Sequence, residues 1–304
     1  MNGNSVLIAA LVALAAIAVP AQSQNLTGTL QKIKDSGKVV MGTRDSSAPL
    51  AYTLGGGKYT GYHVELCERI IDSIKRQIKA PAVKIEYVLV TSQNRIPLVE
   101  NGTVDIECGS TTNNVARQKQ VAFGLTTYVT EVRMAVKANS GIKSINQLNG
   151  KTVATTTGTT SVQHMRKHER ATGIDFKTVF GKDHSDSFLL LESGRADAFV
   201  MDDNILAGNI ANAKNPKDFV ITGEVLSVEP IAVMFRKDDP AFKKAVDDAI
   251  RAMMKSGGLE KLYVRWFQSP IPPRNSSLNM PMGATLKGLI ASPNDKPMED
   301  YTKK

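Results

Sequence analysis

The chain has 304 residues, of which 42% are hydrophobic, so it is long enough to fold into two domains, each with its own core. Its formal charge of +9 comes from scattered Lys and Arg residues, aromatic residues make up only 6%, and no helix-turn-helix, zinc or RNA-binding motif occurs. Nucleic-acid binding is therefore not expected, and a dispersed positive charge instead favours solubility and association with a negatively charged partner or solute.

The first residues are typical of a secretory signal peptide. Val6 to Val19 is apolar throughout and too short to span a bilayer comfortably. Small residues follow and predict cleavage after Ala21 or Ser23, so residues 1–23 are expected to be removed, although the preceding MNGNS lacks the usual Lys or Arg. No later run is long and apolar enough for a membrane helix. We therefore expect the mature protein to be soluble and exported.

The elements after the signal alternate between helix and strand. A short helix is predicted to begin at Leu30–Ile33, a strand over Lys38–Gly42, a hairpin turn over Leu54–Lys58 and another strand over residues 83–90. Strands that alternate with helices in this way predict a mostly parallel sheet.

The chain has two cysteines. Cys67 lies in a predicted amphipathic helix within residues 61–78, and Cys108 ends a predicted strand. In an oxidising compartment an even pair favours a disulfide, worth about 4 kcal/mol in the chain-entropy model, and two buried free thiols are the alternative. Two Cys without a suitably spaced His supply too few metal ligands, so no metal site and no cofactor are expected.

The stretch from Thr91 to Arg117 organises the first half of the chain. A helical turn that ends at a glycine, a strand over residues 103–107 and a run of small polar residues follow one another there. Loops at the carboxyl ends of strands are where open α/β sheets bind ligands. The polar residues of this stretch suit a small anion, and the candidates are Arg95, Ser110, Thr112 and Arg117.

A weak internal repeat predicts two related lobes. Four residue types recur at the same spacing 92 positions later. Leu98, Glu100, Gly102 and Asp105 correspond to Leu190, Glu192, Gly194 and Asp197. Residues 37–47 and 150–161 are a second similar pair. The polar residues in equivalent places are Arg44 and Thr157, Ser92 and His184, and Ser110 and Asp202. We expect them to face each other across a cleft, and the alternative is chance similarity between short α/β segments.

The second lobe is predicted over residues 132–228, and the first lobe over residues 24–131 and 229–304 with a polar tail from about residue 274. Residues 131–137 are predicted to cross into the second lobe, and Ile231–Arg236 to cross back. In the second lobe, the loop Thr156–Ser161 leads directly into a helix, whose free backbone amides favour an anion. A simple helix N-cap is the other interpretation.

At this point the sequence resembles the periplasmic amino-acid-binding proteins of ABC importers, and most closely the glutamate/aspartate-binding proteins of solute-binding protein family 3. The segments that carry the resemblance are GTRDSSAPLAY, SQNRIPLVENGTVDIECGSTTNN, TTTGTTS, GKDHSDSF and AFVMDD. The resemblance implies the type II fold, in which two α/β lobes joined by two hinge strands close over an amino acid. It also implies one disulfide at the positions of Cys67 and Cys108.

The resemblance further implies a role for each candidate. Arg117 would bind the ligand α-carboxylate with help from Thr112 and the loop at Thr160, and Asp202 with Ser110 would hold the α-ammonium. The pocket for the side-chain carboxylate would consist of Arg44, Ser92, Arg95 and His184. The chemistry agrees, because a dicarboxylic amino acid needs several cations and one anion, and the guanidinium fork binds a carboxylate bidentately. On sequence alone, His184 lies in a hydrophilic loop where exposure is the default.

Two functions from different classes remain open. The first is a periplasmic, monomeric receptor that delivers L-glutamate or L-aspartate to a membrane permease. The second is a dehydratase of the arogenate or prephenate type on the same scaffold, because fold alone does not determine function. An elimination needs a positioned acid or base, and Asp202 or His184 would have to supply it. The predicted site pairs these charges with ligand charges, which favours the receptor.

Overall fold

The computed structural model describes residues 26–301, so the predicted signal peptide lies outside the described residues. The α-helices of this part of the chain are α1 (Gly28–Ser36), α2 (Tyr62–Gln77), α3 (Arg95–Glu100), α4 (Val115–Gln118), α5 (Thr160–Thr172), α6 (His184–Glu192), α7 (Asp203–Asn212), α8 (Pro240–Lys255), α9 (Gly258–Tyr263) and α10 (Ala284–Ala291). The strands are β1 (Lys38–Thr43), β2 (Ser46–Ser47), β3 (Ala51–Gly55), β4 (Lys58–Thr60), β5 (Lys84–Leu89), β6 (Ile106–Glu107), β7 (Val121–Phe123), β8 (Tyr128–Lys137), β9 (Thr152–Thr156), β10 (Lys177–Gly181), β11 (Ala198–Asp202), β12 (Phe219–Ile231) and β13 (Met234–Arg236).

The strands form two large sheets and one small one. The first large sheet has the order β5-β1-β6-β13-β7, and the second has the order β10-β9-β11-β8-β12. In each, the first three strands are parallel and the fourth is antiparallel to its neighbours. We call the regions around these sheets lobe 1 and lobe 2. The predicted α/β architecture is thereby confirmed, but both large sheets are mixed rather than mostly parallel, because each has two parallel and two antiparallel strand pairings.

Apolar side chains cover both faces of each large sheet. On β8, Val132, Met134 and Val136 pack into one cluster of lobe 2, while Ala135 between them packs into another. On β13, Met234 and Phe235 likewise belong to different clusters of lobe 1. Side chains of a strand alternate between the faces of its sheet, so each sheet is buried on both sides by helices.

The two crossings between the lobes lie side by side. β8 and β12 pair antiparallel from Tyr128 with Ile231 to Lys137 with Phe219. The prediction that Ile231–Arg236 is the second crossing strand was wrong. The crossing ends at Ile231, and Met234–Arg236 already belongs to the lobe 1 sheet between β6 and β7. The apolar run IAVMFR therefore covers the end of one strand and the whole of another, and periodicity alone does not mark the break between them.

The strand predicted over residues 103–107 is shorter than expected and contains only Ile106 and Glu107. The carboxylate of Asp105 accepts the backbone N–H of Val40 at 2.9 Å and the ammonium of Lys32 at 2.7 Å. The Asp105 side chain thus accepts a hydrogen bond that a main-chain carbonyl accepts in regular strand pairing, and β6 begins at Ile106.

Cys67 on α2 and Cys108 after β6 form the disulfide that the sequence favoured, so the alternative of two free thiols is excluded. Their Cα atoms lie 6.3 Å apart, within the range that such bonds span. The bond ties α2 to the strand whose following loop carries Ser110 and Thr112.

The C-terminal segment returns across lobe 1 to the start of the crossing. The backbone N–H of Thr126 donates to the carbonyl of Asn294 at 3.0 Å, and that of Met298 donates to the carbonyl of Asn113 at 2.9 Å. The predicted polar tail therefore packs against the loop that precedes Arg117. Over residues 26–301, no helix combines the length and the apolar character needed to cross a bilayer.

Candidate functional site

Side chains from both lobes line a small cavity between them. Lobe 1 contributes Ser92, Arg95, Ser110 and Thr112, and lobe 2 contributes Thr159, Thr160, His184, Met201 and Asp202. The cavity measures about 10 Å³, which is roughly the space for one water molecule. An amino acid therefore enters only when the lobes move apart. Seven of the ten predicted ligand-binding residues line this cavity.

Arg44 follows β1 and is 2% exposed. Its Nη2 donates to the Ser92 hydroxyl at 2.8 Å, and its Nη1 donates to the Ser110 hydroxyl at 3.2 Å. Nη2 also lies 3.3 Å from Nε2 of His184 in the other lobe. Burial lowers the pKa of Arg44 to about 10, and the nearby cation of Arg95 contributes to this shift. Arg44 thus organises three of the cavity side chains.

His184 is the first residue of α6, and its side chain is buried rather than exposed. The sequence-based expectation of exposure was therefore wrong. Because a guanidinium only donates, Nε2 of His184 accepts from Arg44, so the ring proton lies on Nδ1, 2.9 Å from the Thr156 hydroxyl. Burial, Arg44 and Arg95 all lower the pKa of His184 well below its usual value. The ring is neutral and its tautomer is fixed.

Arg95 begins α3 and is 2% exposed. Its Nε and Nη1 atoms are buried and have no hydrogen-bond partner among the described residues. Burial lowers the pKa of Arg95, whereas the carboxylates of Glu107, Asp202 and Glu229 raise it. A desolvated guanidinium with free donors is suited to a carboxylate, which satisfies two N–H groups at once.

Arg117 lies on α4 and donates from Nη1 to the carbonyl of Thr112 at 2.8 Å. Burial lowers its pKa to about 9, with Arg95 as the next cause. Its side chain lines a wider outer cleft of about 610 Å³, beside the small cavity. Thr157 lines the same outer cleft, so Arg117 and Thr157 lie at the mouth of the site rather than at its centre.

Asp202 ends β11 and is 4% exposed. It stands at the N-cap position of α7, yet its carboxylate makes no capping hydrogen bond, because Asp203 accepts the N–H of Asn204 instead. Burial raises the pKa of Asp202 well above its usual value, Glu229 and Asp203 add to the shift, and Arg95 opposes it. A cation placed beside Asp202, such as an ammonium group, would be strongly favoured.

Two carboxylates next to the site were not predicted. Glu107 on β6 and Glu229 on β12 are both 0% exposed. Glu107 accepts the hydroxyl of Thr111 at 2.7 Å, and Glu229 accepts those of Thr112 and Thr160. The local sequence carries no distinct signal for either of them, because β12 has a second glutamate, Glu224, and Asp105 immediately precedes β6.

The fold and this site can be compared with known proteins. A model of the bacterial extracellular solute-binding proteins, family 3, matches residues 39–269. The chain belongs to this family. It is 47% identical over 297 residues to the L-glutamate/L-aspartate-binding protein of Pseudomonas aeruginosa, covering 97% of this chain and 98% of that protein. It is 43% identical to the glutamate/aspartate import solute-binding protein of Escherichia coli K12, covering 94% and 96% of the two chains.

A solved structure has the same fold. An ancestral amino-acid-binding protein, described as a precursor of cyclohexadienyl dehydratase, superposes with a TM-score of 0.68 at 28% identity, covering 79% of this chain and 99% of that one. The chain therefore has the two-lobed fold of type II periplasmic binding proteins, as the sequence predicted.

Proposed function

We propose that this protein captures L-glutamate or L-aspartate between its two lobes and delivers it to the membrane permease of an ABC importer. The observation that carries the proposal is the buried guanidinium of Arg95, whose Nε and Nη1 lack partners, together with the carboxylate of Asp202 across the same cavity. A dicarboxylic amino acid supplies an anion for the first and a cation for the second. The names of the two relatives support the same ligand class.

We propose distinct roles for the candidate residues. Asp202 and Ser110 hold the α-ammonium, and Arg117 binds the α-carboxylate at the mouth of the cavity, near Thr112, Thr157 and Thr160. Arg95 binds the side-chain carboxylate beside Ser92 and His184. Because three partners already occupy the nitrogens of Arg44, its role is to hold Ser92, Ser110 and His184 in place.

The protein acts as a receptor and not as an enzyme in this proposal. A dehydratase needs a free acid or base beside the bond that breaks. Nε2 of His184 accepts from Arg44 and its Nδ1 faces Thr156, so the ring has no free nitrogen for a substrate. Asp202 is then the sole candidate among the ionisable groups of the cavity, and the ligand ammonium occupies it.

The proposal includes a division of the chain and a location. Residues 24–131 and 229–304 form lobe 1, residues 132–228 form lobe 2, and the hinge lies in β8 and β12. The protein works in the periplasm as a monomer after removal of residues 1–23. The family, whose members are bacterial extracellular proteins, supports export.

Calorimetric titration of the mature protein tests this function. The protein is unfolded, dialysed to remove retained ligand, refolded and titrated with L-glutamate, L-aspartate, L-glutamine and prephenate. We expect one-to-one binding of both acidic amino acids, with L-glutamine much weaker and prephenate undetected. Binding of prephenate followed by its turnover would instead support the dehydratase function. L-Glutamine binding as tight as that of L-glutamate would refute the proposed selectivity for acidic amino acids.

A further inference from the structure

Glu229 lies on the crossing strand β12 and contacts both lobes through hydrogen bonds. Its Oε2 accepts the hydroxyl of Thr112 from lobe 1 at 2.5 Å and that of Thr160 from lobe 2 at 2.8 Å. Its Oε1 lies 2.7 Å from Nε2 of His164, which is on α5 one turn after Thr160. These three contacts use both oxygens of the carboxylate but not all four of its lone pairs.

The contacts fix where the hydroxyl protons lie. A threonine hydroxyl has one proton, and an ionised carboxylate only accepts. The protons of Thr112 and Thr160 therefore both point at Oε2 of Glu229. The two hydroxyl oxygens, 3.5 Å apart, have no proton left for each other and present only lone pairs to the cavity. Such oxygens match an N–H donor and cannot donate to a carboxylate.

His164 keeps Glu229 in the form that this arrangement needs. Burial by itself raises the pKa of Glu229, but the hydrogen bond and charge of His164 and the two threonine hydroxyls lower it below its usual value. A Glu229 protonated on Oε2 would lose one acceptor position there and would release a hydroxyl proton to the cavity. The side chain of His164 is 13% exposed and thus lies at the edge of the site rather than in it.

We propose that Glu229, held by His164, is a positioning residue that fixes the hydroxyls of Thr112 and Thr160 as acceptors for the ligand ammonium. This rests on the proposed function of the site as an amino-acid receptor. It changes the role that the family resemblance suggested for Thr112 and the loop at Thr160, which was to help bind the α-carboxylate. Arg117 and the free backbone amides at the start of α5 remain as donors to that group.

A double-mutant cycle on L-glutamate binding tests the proposal. The variants are Glu229→Leu, Thr112→Val and the double variant, and each is titrated calorimetrically. We expect losses of about 30-fold for Glu229→Leu and about 10-fold for Thr112→Val, and about 30-fold rather than 300-fold for the pair, because Glu229 acts through that hydroxyl. Losses that multiply in the double variant would overturn the proposal.

Conservative variants separate positioning from folding. Glu229→Gln keeps an oxygen that can accept both hydroxyls, so L-glutamate affinity should stay within about threefold of the wild type. A loss as large as that of Glu229→Leu would contradict the proposal, and this comparison decides if Glu229→Leu does not fold. His164→Leu should weaken binding several-fold, whereas the matched variant His168→Leu, one turn further along α5, should not. If the wild type binds neither acidic amino acid, the proposed function fails; if it binds and the cycle is additive, only the role of Glu229 fails.

Discussion

The guanidinium groups of Arg44 and Arg95 are equally buried, but they differ in how far hydrogen bonds satisfy them. Arg44 donates to Ser92 and Ser110 and contacts His184, whereas Nε and Nη1 of Arg95 have no partner among the described residues. A buried donor without a partner is unfavourable by about 1 to 3 kcal/mol, more for a charged group. At the scale of single residues, Arg44 has a structural role, and Arg95 keeps free donors that the carboxylate of the proposed ligand would satisfy.

Replacing Arg95 by Met should therefore change ligand selectivity. We expect L-glutamate to bind about 100-fold more weakly, because its side-chain carboxylate loses a desolvated charge partner. L-Glutamine, measured by competition, should lose far less. The ligand-free variant should be as stable as the wild type, since a buried unpaired cation is removed. Arg251→Met, on the exposed side of α8, is the control and should leave both affinities unchanged. Equal losses for the two ligands would refute the role of Arg95.

Asp202 predicts a pH dependence of stability. Its pKa in the folded, ligand-free protein lies above the usual value of 3.8, so the folded state holds the proton more tightly than the unfolded state. The resulting stabilisation is complete below pH 3.8 and is lost as the pH rises through the raised pKa. At pH values above the raised pKa, the ionised carboxylate of Asp202 thus destabilises the ligand-free protein.

Asp202→Asn should remove this effect. In urea unfolding without ligand, the variant should be more stable than the wild type at about pH 7, and the difference should shrink towards about pH 4. The same variant should lose L-glutamate binding, because the ammonium loses its anionic partner. A ligand-free variant that is less stable than the wild type at neutral pH would contradict this assignment.

At the scale of elements, the site residues follow from the direction of the strands. Arg44 comes directly after β1, Asp202 ends β11, and Ser110 lies in the loop after β6. The carboxyl ends of parallel strands meet at one edge of a sheet, so polar residues just beyond them collect in one place. The sequence predicted these loops because each follows an apolar run of strand type. It did not predict that Glu107 and Glu229 would stand beside them.

The disulfide is the element-scale feature with the clearest energetic consequence. It closes a loop with a sequence separation of 41 residues that contains β5, α3 and β6. In the chain-entropy model a loop of this length contributes about 4 kcal/mol. Cys67→Ala combined with Cys108→Ala should lower the free energy of unfolding in urea by about 2 to 5 kcal/mol. Dithiothreitol should destabilise the wild type similarly and the variant not at all; destabilisation of the variant would show that the reductant acts elsewhere.

At the scale of the whole molecule, the closed arrangement depends on close contact between the lobes. The Ser46 hydroxyl of lobe 1 accepts the backbone N–H groups of His184 and Ser185 at the start of α6. Gly208 on α7 faces the Ala48 carbonyl so closely that an added Cβ would lie only 2.4 Å from its oxygen. Neither contact is possible when the lobes separate, so both are features of closure.

Gly208→Ala should consequently hinder closure of the lobes without lowering the folding stability of the ligand-free protein. Alanine favours a helix interior over glycine by about 0.5 to 1 kcal/mol, so the ligand-free protein should be at least as stable. L-Glutamate should bind at least about 10-fold more weakly, because the methyl group obstructs the closed form. Small-angle scattering should show a smaller decrease in radius of gyration with ligand than in the wild type. Gly288→Ala on α10, where an added Cβ meets no atom of residues 26–301 within 4 Å, is the matched control. Unchanged affinity in Gly208→Ala would contradict the closure described here.

The sequence by itself determined the alternating α/β elements, the two-lobed fold and the pair of cysteines that form the disulfide. The elements and the cysteine pair follow from apolar periodicity and residue types within short stretches, and the two lobes follow from the internal repeat and the family resemblance, none of which requires knowledge of tertiary contacts. Only the tertiary structure decided that His184 is buried, that the crossing ends at Ile231 and that Glu229 holds Thr112, which is 117 positions away. Burial and hydrogen-bond partners depend on residues far apart in the chain, and no local pattern records which of them the fold will bring together.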